Sequence, residues 1–159
     1  MHATHNTLSE NIRSRSVEVL NRHLAAAIDL HAQMKQAHWN VCGPGFIGIH
    51  ELFDRIATDV ENCSDKIAER AGGLGGTAHG TIQVAAARSF LIPYSLGIAD
   101  ERKHLFAVAG ALAAFGQSVR DAAGETTGFG DLDTADLLTG ISRGIDLQIW
   151  FVESHLTPA

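Results

Sequence analysis

Two histidines and an aspartate stand in apolar, periodic sequence around a glycine-rich turn: His38 before it, His50 and Asp54 after it. Further along the same apparent helix come Asp65 and Glu69, again four residues apart. An imidazole or carboxylate among apolar neighbours costs several kcal/mol unless something satisfies it, and a metal ion is the economical partner. Imidazole and carboxylate ligands that leave room for water suit divalent iron, and would also accept zinc, cobalt or manganese. Each i,i+4 pair projects from one helix face and can converge on one ion. Such a pair taken alone is commonly a solvated face; His38 across the turn is what gives the set its weight.

The spacing imposes a condition on any such site. Eleven residues separate Asp54 from Asp65, ~16 Å of helix rise, so the two pairs cannot share an ion within one chain. They reflect, however, about a single point between Asp59 and Val60. At ~100° per residue, His50, Asp54, Glu61, Asp65 and Glu69 fall in one stripe. Two copies of this helix crossing antiparallel at that point would set His50 and Asp54 of one against Asp65 and Glu69 of the other, making two equivalent sites, each completed by His38.

Four long helical patterns must position these residues. The first is expected from Thr7 or Ser9 to Asn40, with Thr7 to Glu10 as a capping box and Val17, Leu20, Leu24, Ile28, His31, Met34 and His38 on its apolar stripe. His31 is expected to be a satisfied core residue. Cys42-Gly43-Pro44-Gly45 breaks that helix; the second begins near Phe46 and ends at Gly72-Gly73. So short a loop makes the two antiparallel neighbours. A long crossover from Gly73 to Tyr94, carrying a short helix over Thr81 to Ala87, then leads to a third helix over Ser95 to Ala122. After a turn at Gly124 to Gly130, a last helix starts around Asp131 to Thr134 and runs to Leu156, and Pro158 closes the chain. The class is all-α, a four-helix bundle with a short helix in the crossover between the second and third helices.

Composition sets the outer limits. With 159 residues, 45% of them hydrophobic, the expectation is one domain over 1–159, with a short polar extension over about 1–8. No run approaches the ~20 apolar residues of a membrane span, and the polar opening lacks a signal pattern, so the expected location is the cytoplasm. Cys42 and Cys63 are too few for a disulfide scaffold and are expected to be small buried hydrophobes. A net charge of -6 suits a protein that attracts cations and argues against binding of phosphate backbones.

The segment Lys35-Gln36-Ala37-His38-Trp39-Asn40, the glycine turn, Phe46, His50, Asp54 and Asp65-Lys66-Ile67-Ala68-Glu69-Arg70 closely resemble the Dps family, the ferritin-like DNA-protection-during-starvation proteins. The resemblance extends to Gly75-Gly76, Gly80-Thr81, Asp133-Thr134-Ala135-Asp136 and Trp150-Phe151-Val152-Glu153. It implies a ferritin-like four-helix subunit in a hollow dodecamer with ferroxidase centres between twofold-related subunits. His38, His50 and Asp54 would come from one subunit, Asp65 and Glu69 from its mate. Iron would be the metal, with no organic cofactor; Fe(II) would be oxidised by peroxide more readily than by dioxygen and stored as a ferric mineral. Lys35 is a candidate partner for a site carboxylate or a solvated surface residue. Trp39 is a candidate for orienting the site or quenching a radical, or else a core aromatic.

Other features are weighed beside these. Glu101-Arg102-Lys103-His104 has a Glu-x-x-His spacing, but a di-iron bundle needs two, so Glu101 and His104 are expected to be helix-surface residues. At least one of Asp131, Asp133 and Asp136 is expected to cap the last helix, and the resemblance adds an acidic threefold pore that all three could line. The rival reading is a nucleoid-associated DNA-binding protein, and a third is a bundle without metal. Members of the family that condense DNA often use a lysine-rich terminal tail, whereas Met1 to Glu10 contains no lysine or arginine, nor does Leu156-Thr157-Pro158-Ala159, so DNA binding is expected to be weak. Arg13, Arg15 and Arg22 offer at most a small basic patch.

Overall fold

The computed structural model describes residues 1–156. Its elements are α1 (Glu10–Asn40), α2 (Phe46–Gly73), α3 (Ile82–Arg88), α4 (Glu101–Gly128) and α5 (Leu132–Glu153), with no strand among the described residues. α1 packs along α2 and α4 along α5, and the two pairs close on each other to give the expected all-α four-helix bundle, with α3 as the short helix of the crossover. Leu20, Leu30, Met34, Phe53, Ile56, Ile67, Leu112, Phe115 and Leu138 are fully buried between them. Removing each such side chain from water contributes about 1.5–3 kcal/mol, which is why these stripes and not local propensity decide how the helices pack. The expected role of Pro158 lies outside the described residues.

Helix ends differ from expectation where side chains find other partners. α1 is capped by Ser9, whose hydroxyl accepts from the Ile12 N–H at 3.4 Å, and not by a box built on Thr7. α3 starts where expected, with the Thr81 hydroxyl accepting from Val84 N–H. α4 starts six residues later than the periodicity suggests. The preceding segment is held extended, because Cys42 N–H donates to the Ala99 carbonyl and Glu101 N–H to the Cys42 carbonyl, both at 3.1 Å. Asp100 then caps α4 by accepting from Lys103 N–H. At its other end α4 continues past Ala122 and Gly124 to Gly128, and the turn into α5 is made at Gly130, whose φ of +94° suits a residue without a Cβ.

Two expectations about polar residues in the core are also corrected. The satisfied core histidine is His23, fully buried, with Nδ1 donating to the Val19 carbonyl at 2.8 Å and Nε2 meeting the Ser118 hydroxyl at 3.0 Å. Burial holds its pKa below the usual histidine value. His31 is only half-buried and makes no hydrogen bond among the described residues; it lines a pocket of about 390 Å³ with Ile28, Glu61 and Asp65. Cys42 is exposed, because its backbone and not its side chain is used to anchor the segment before α4. Cys63 is partly buried against the core, and burial raises its thiol pKa.

Candidate metal centre

The turn between α1 and α2 brings His38 and His50 face to face. Nδ1 of His38 donates to the backbone carbonyl of His50 at 2.8 Å, and Nδ1 of His50 donates to the carbonyl of His38 at 2.8 Å. A carbonyl can only accept, so each Nδ1 carries a proton, and in the neutral imidazole the lone pair is then on Nε2. The rings stack with centroids 3.7 Å apart and 25° between planes, and Phe46 leans on His50 at 4.9 Å. This reciprocal brace fixes tautomer and orientation together, as the outer hydrogen bond of a ligating histidine does.

Asp54, one turn beyond His50, completes the near half of the site. Its Oδ1 lies 3.9 Å from His38 Nε2 and 2.5 Å from Lys35 Nζ. The Lys35 hydrogen bond, reinforced by the lysine's charge, holds the Asp54 carboxyl below the ordinary carboxylate range. Lys35 thus pairs with a site carboxylate. Trp39 is 67% exposed, not a core aromatic, with Lys35 Nζ 5.8 Å from its ring centroid.

Asp65 and Glu69 lie farther along the unbroken α2, exposed and without a partner among the described residues. The chain does not bring them to His38, His50 and Asp54. Among the described residues, no three His, Cys, Asp or Glu side chains are grouped closely enough to hold an ion. Within one chain His38 on α1 with His50 and Asp54 on α2 thus stand apart from Asp65 and Glu69 farther along α2.

Glu101 and His104 are not ordinary helix-surface residues. The Glu101 carboxylate reaches back into the α1–α2 turn, where Oε2 accepts from Gly45 N–H at 2.8 Å, and it fills the space a Cβ on Gly43 would occupy. It therefore supports the turn that sets His38 against His50. Glu101→Ala is expected to lower stability by about 1 kcal/mol, read from the urea midpoint, because an exposed helix start loses its capping acceptor. His104 is 1% exposed and bonded to Tyr94. Nothing in a single sequence marked either role: Gly45 lies 56 residues from Glu101, and Tyr94, though only 10 residues from His104, precedes the helix that carries it.

The three aspartates near α5 separate by environment. Asp131 is fully buried as the N-cap of α5: Oδ1 accepts from Arg70 Nη2 at 2.8 Å and Thr134 N–H at 3.1 Å, and Oδ2 from the hydroxyls of Ser16 and Thr134. With every lone pair engaged it is unavailable to a passing cation, so it leaves the set of possible pore residues. Asp133, 87% exposed at its side chain, and Asp136 remain open to solvent.

A model of the ferritin-like domain matches residues 17–158. The DNA protection during starvation protein of Agrobacterium fabrum is 40% identical over 98% of this chain and 96% of its own length. That of Mycolicibacterium smegmatis is 31% identical over 96% of this chain and 82% of its own. The chain belongs to the Dps family. Among solved structures, Dps of Mycobacterium smegmatis superposes with a TM-score of 0.93 at 30% identity, covering all of this chain and 96% of that one. DpsA14 from Streptomyces coelicolor superposes at 0.91 and 37% identity, over 98% and 92%. The braced histidines stand on α1 and α2, the first two helices of that ferritin-like bundle. No described helix is long and apolar enough to cross a membrane.

Proposed function

We propose that this Dps-family chain is a cytoplasmic iron-storage and detoxification protein, a ferroxidase that assembles into a hollow dodecamer. Fe(II) is its substrate. His38, His50 and Asp54 of one subunit and Asp65 and Glu69 of its mate bind the ion, and the ferric product is stored in the cavity. The observation that carries this reading is the reciprocal brace, which spends Nδ1 of both histidines on backbone carbonyls and keeps Nε2 of each neutral ring for a ligand, with Asp54, held ionised by Lys35, 3.9 Å from Nε2 of His38. The exposed Asp65 and Glu69 supply the charge that two imidazoles lack.

The chain's own groups have distinct tasks. The braced imidazoles present fixed lone pairs, so little ordering is needed when the ion arrives. Lys35 holds Asp54 ionised and must yield it as the ion binds. Hydrogen peroxide takes two electrons, one from each of two Fe(II), and leaves as water; removing both reactants together protects DNA from hydroxyl radical. Asp133 and Asp136 are the remaining candidates for an acidic entry pore.

The assembled protein is expected to oxidise added Fe(II) and keep the ferric product soluble, followed by absorbance and light scattering. Asp54→Ala should slow oxidation at least about tenfold, since loss of even an outer-shell partner of a ligand costs that much, without changing the assembly's size. Ferric precipitation at the protein-free rate would overturn the reading.

Protection by this route needs no contact with DNA. Arg13 is engaged by the Leu8 and Leu74 carbonyls, Arg15 stacks on Phe129 at 4.3 Å, and Arg22 pairs with Glu125 at 3.0 Å. With those cations occupied and the acids in excess, DNA binding at neutral pH and physiological salt is expected to be weak and steeply salt-dependent. A gel shift at two salt concentrations checks this, and a tight, salt-resistant shift would restore the nucleoid-protein reading.

A further inference from the structure

Tyr94 is the chain's single tyrosine. Its hydroxyl meets Nδ1 of His104 at 2.7 Å, and the two rings lie nearly parallel, 18° apart in plane at 6.0 Å. His104 is buried, and its Nε2 has no hydrogen-bond partner among the described residues. Burial depresses the pKa of His104, while the nearby carbonyls of Ile98 and Asn40 and the charge of Asp100 favour its cation. The Tyr94 hydroxyl has Nδ1 of His104 as its partner at 2.7 Å, and in the ring tautomer with the proton on Nε2 the phenolic O–H donates to Nδ1. Burial also pushes the Tyr94 phenol well above its ordinary pKa, so it does not lose that proton by simple ionisation. A phenol whose task was only to hold the crossover against α4 could have bonded any carbonyl. Placing a buried imidazole there, with one nitrogen orphaned, costs stability.

We propose that Tyr94 and His104 form a proton-coupled trap for oxidising equivalents that escape the iron site. A one-electron oxidant takes an electron from Tyr94 while the phenolic proton passes along the existing hydrogen bond to His104 Nδ1. The products are a neutral phenoxyl radical and an imidazolium. The oxidant is of the hydroxyl-radical class, and this source rests on the proposed iron chemistry: one Fe(II) and one peroxide give Fe(III), hydroxide and hydroxyl radical. Reduction of that radical to hydroxide balances the charge left on His104. A further Fe(II) then returns an electron to the phenoxyl, the proton moves back to the oxygen, and Fe(III) is formed. The position is suitable: His104 lies against the backbone of Asn40, the residue after Trp39, and Trp39 stands exposed beside the braced histidines. An indole oxidised at Trp39 can pass its hole to Tyr94, because a phenol with a base already in place gives up its electron more readily.

Pulse radiolysis with azide radical, which oxidises indoles without iron, tests the pair in the intact assembly. The indolyl absorption is expected to decay into phenoxyl absorption, which can only come from Tyr94, and more slowly in D2O than in H2O. Tyr94→Phe should abolish the phenoxyl and lengthen the indolyl lifetime. His104→Gln should slow its formation about a hundredfold, the low end of what a positioned base contributes to proton transfer. No phenoxyl in the wild type, or equal rates for wild type and His104→Gln, would overturn the proposal. Should His104→Gln fail to assemble, the wild type alone decides, since equal rates in D2O and H2O also overturn it. Freeze-quench EPR after Fe(II) and peroxide adds the second arm. A phenoxyl signal there supports the whole sequence. Its absence, with the azide arm positive, upholds the pair and removes iron as its source.

Discussion

His50→Ala and Asp65→Ala are each expected to give assemblies that have lost fast Fe(II) oxidation, and co-assembled mixtures of the two are expected to regain part of it. Each centre in the proposed arrangement takes His50 from one subunit and Asp65 from its mate. In a pair built from one subunit of each variant, both lesions fall in one centre and the other keeps all its ligands. With random pairing about half of the pairs are mixed and each recovers one of two centres, so about a quarter of the sites return. Neither substitution should disturb the fold. His38 is held through the backbone carbonyl of His50, which His50→Ala leaves in place. Asp65 is exposed without a partner among the described residues, a setting where substitutions stay within about 0.5 kcal/mol. Stopped-flow oxidation of mixtures refolded together, with both variants verified by mass, reads the result. Recovery indistinguishable from zero would exclude a site shared between subunits.

The parts of this molecule that were legible in its sequence are those written in local periodicity. Three- and four-residue spacing set the long stripes, and the Cys42 to Gly45 breaker placed His38 opposite His50, because a turn so short leaves little freedom in register. The reflected pairs on α2 follow from helix rise alone. What could not be read depends on contacts between distant segments. The start of α4 is displaced by backbone pairing of Cys42 with Ala99 and Glu101, which no pattern within Ser95 to Asp100 announces. His23 and His31 both sit on α1, and it is burial against α4, where Ser118 meets Nε2, that makes His23 the satisfied core residue. Glu101 looked like half of a di-iron motif because its spacing to His104 is right. The structure sends the two side chains in different directions, one to the Gly45 amide and the other to Tyr94. Spacing along a helix constrains what can converge; the partner across the bundle determines what does.

The other large effect is expected at Asp131. Burial by itself would raise its pKa, but the Ser16 and Thr134 hydroxyls, the Thr134 N–H and the Arg70 guanidinium outweigh it and hold the carboxyl below the ordinary range. A carboxyl depressed in the folded state contributes stability that is present above its unfolded pKa. That contribution is lost as pH falls through the folded value, because the unfolded chain takes up the proton first. Asp131→Ala removes the cap of α5 and strands the half-buried Arg70, so it is expected to cost about 3–5 kcal/mol at pH 7. Arg70 follows Glu69 directly and also donates Nε–H to the Thr134 hydroxyl at 2.9 Å, so this network ties the distal end of α2 to α1 and α5. Asp131→Asn separates the two contributions: asparagine caps a helix nearly as well but cannot neutralise Arg70. Combining it with Arg70→Met should cost less than the sum of the single changes, since both members of the pair are then removed. Urea midpoints at fixed protein concentration, at pH 7 and again near pH 4, measure this. The gap between wild type and Asp131→Ala should narrow on acidification. A gap that is unchanged by pH, or smaller than about 1 kcal/mol at pH 7, the worth of a cap alone, would show that the charge on Asp131 does not hold these three helices together.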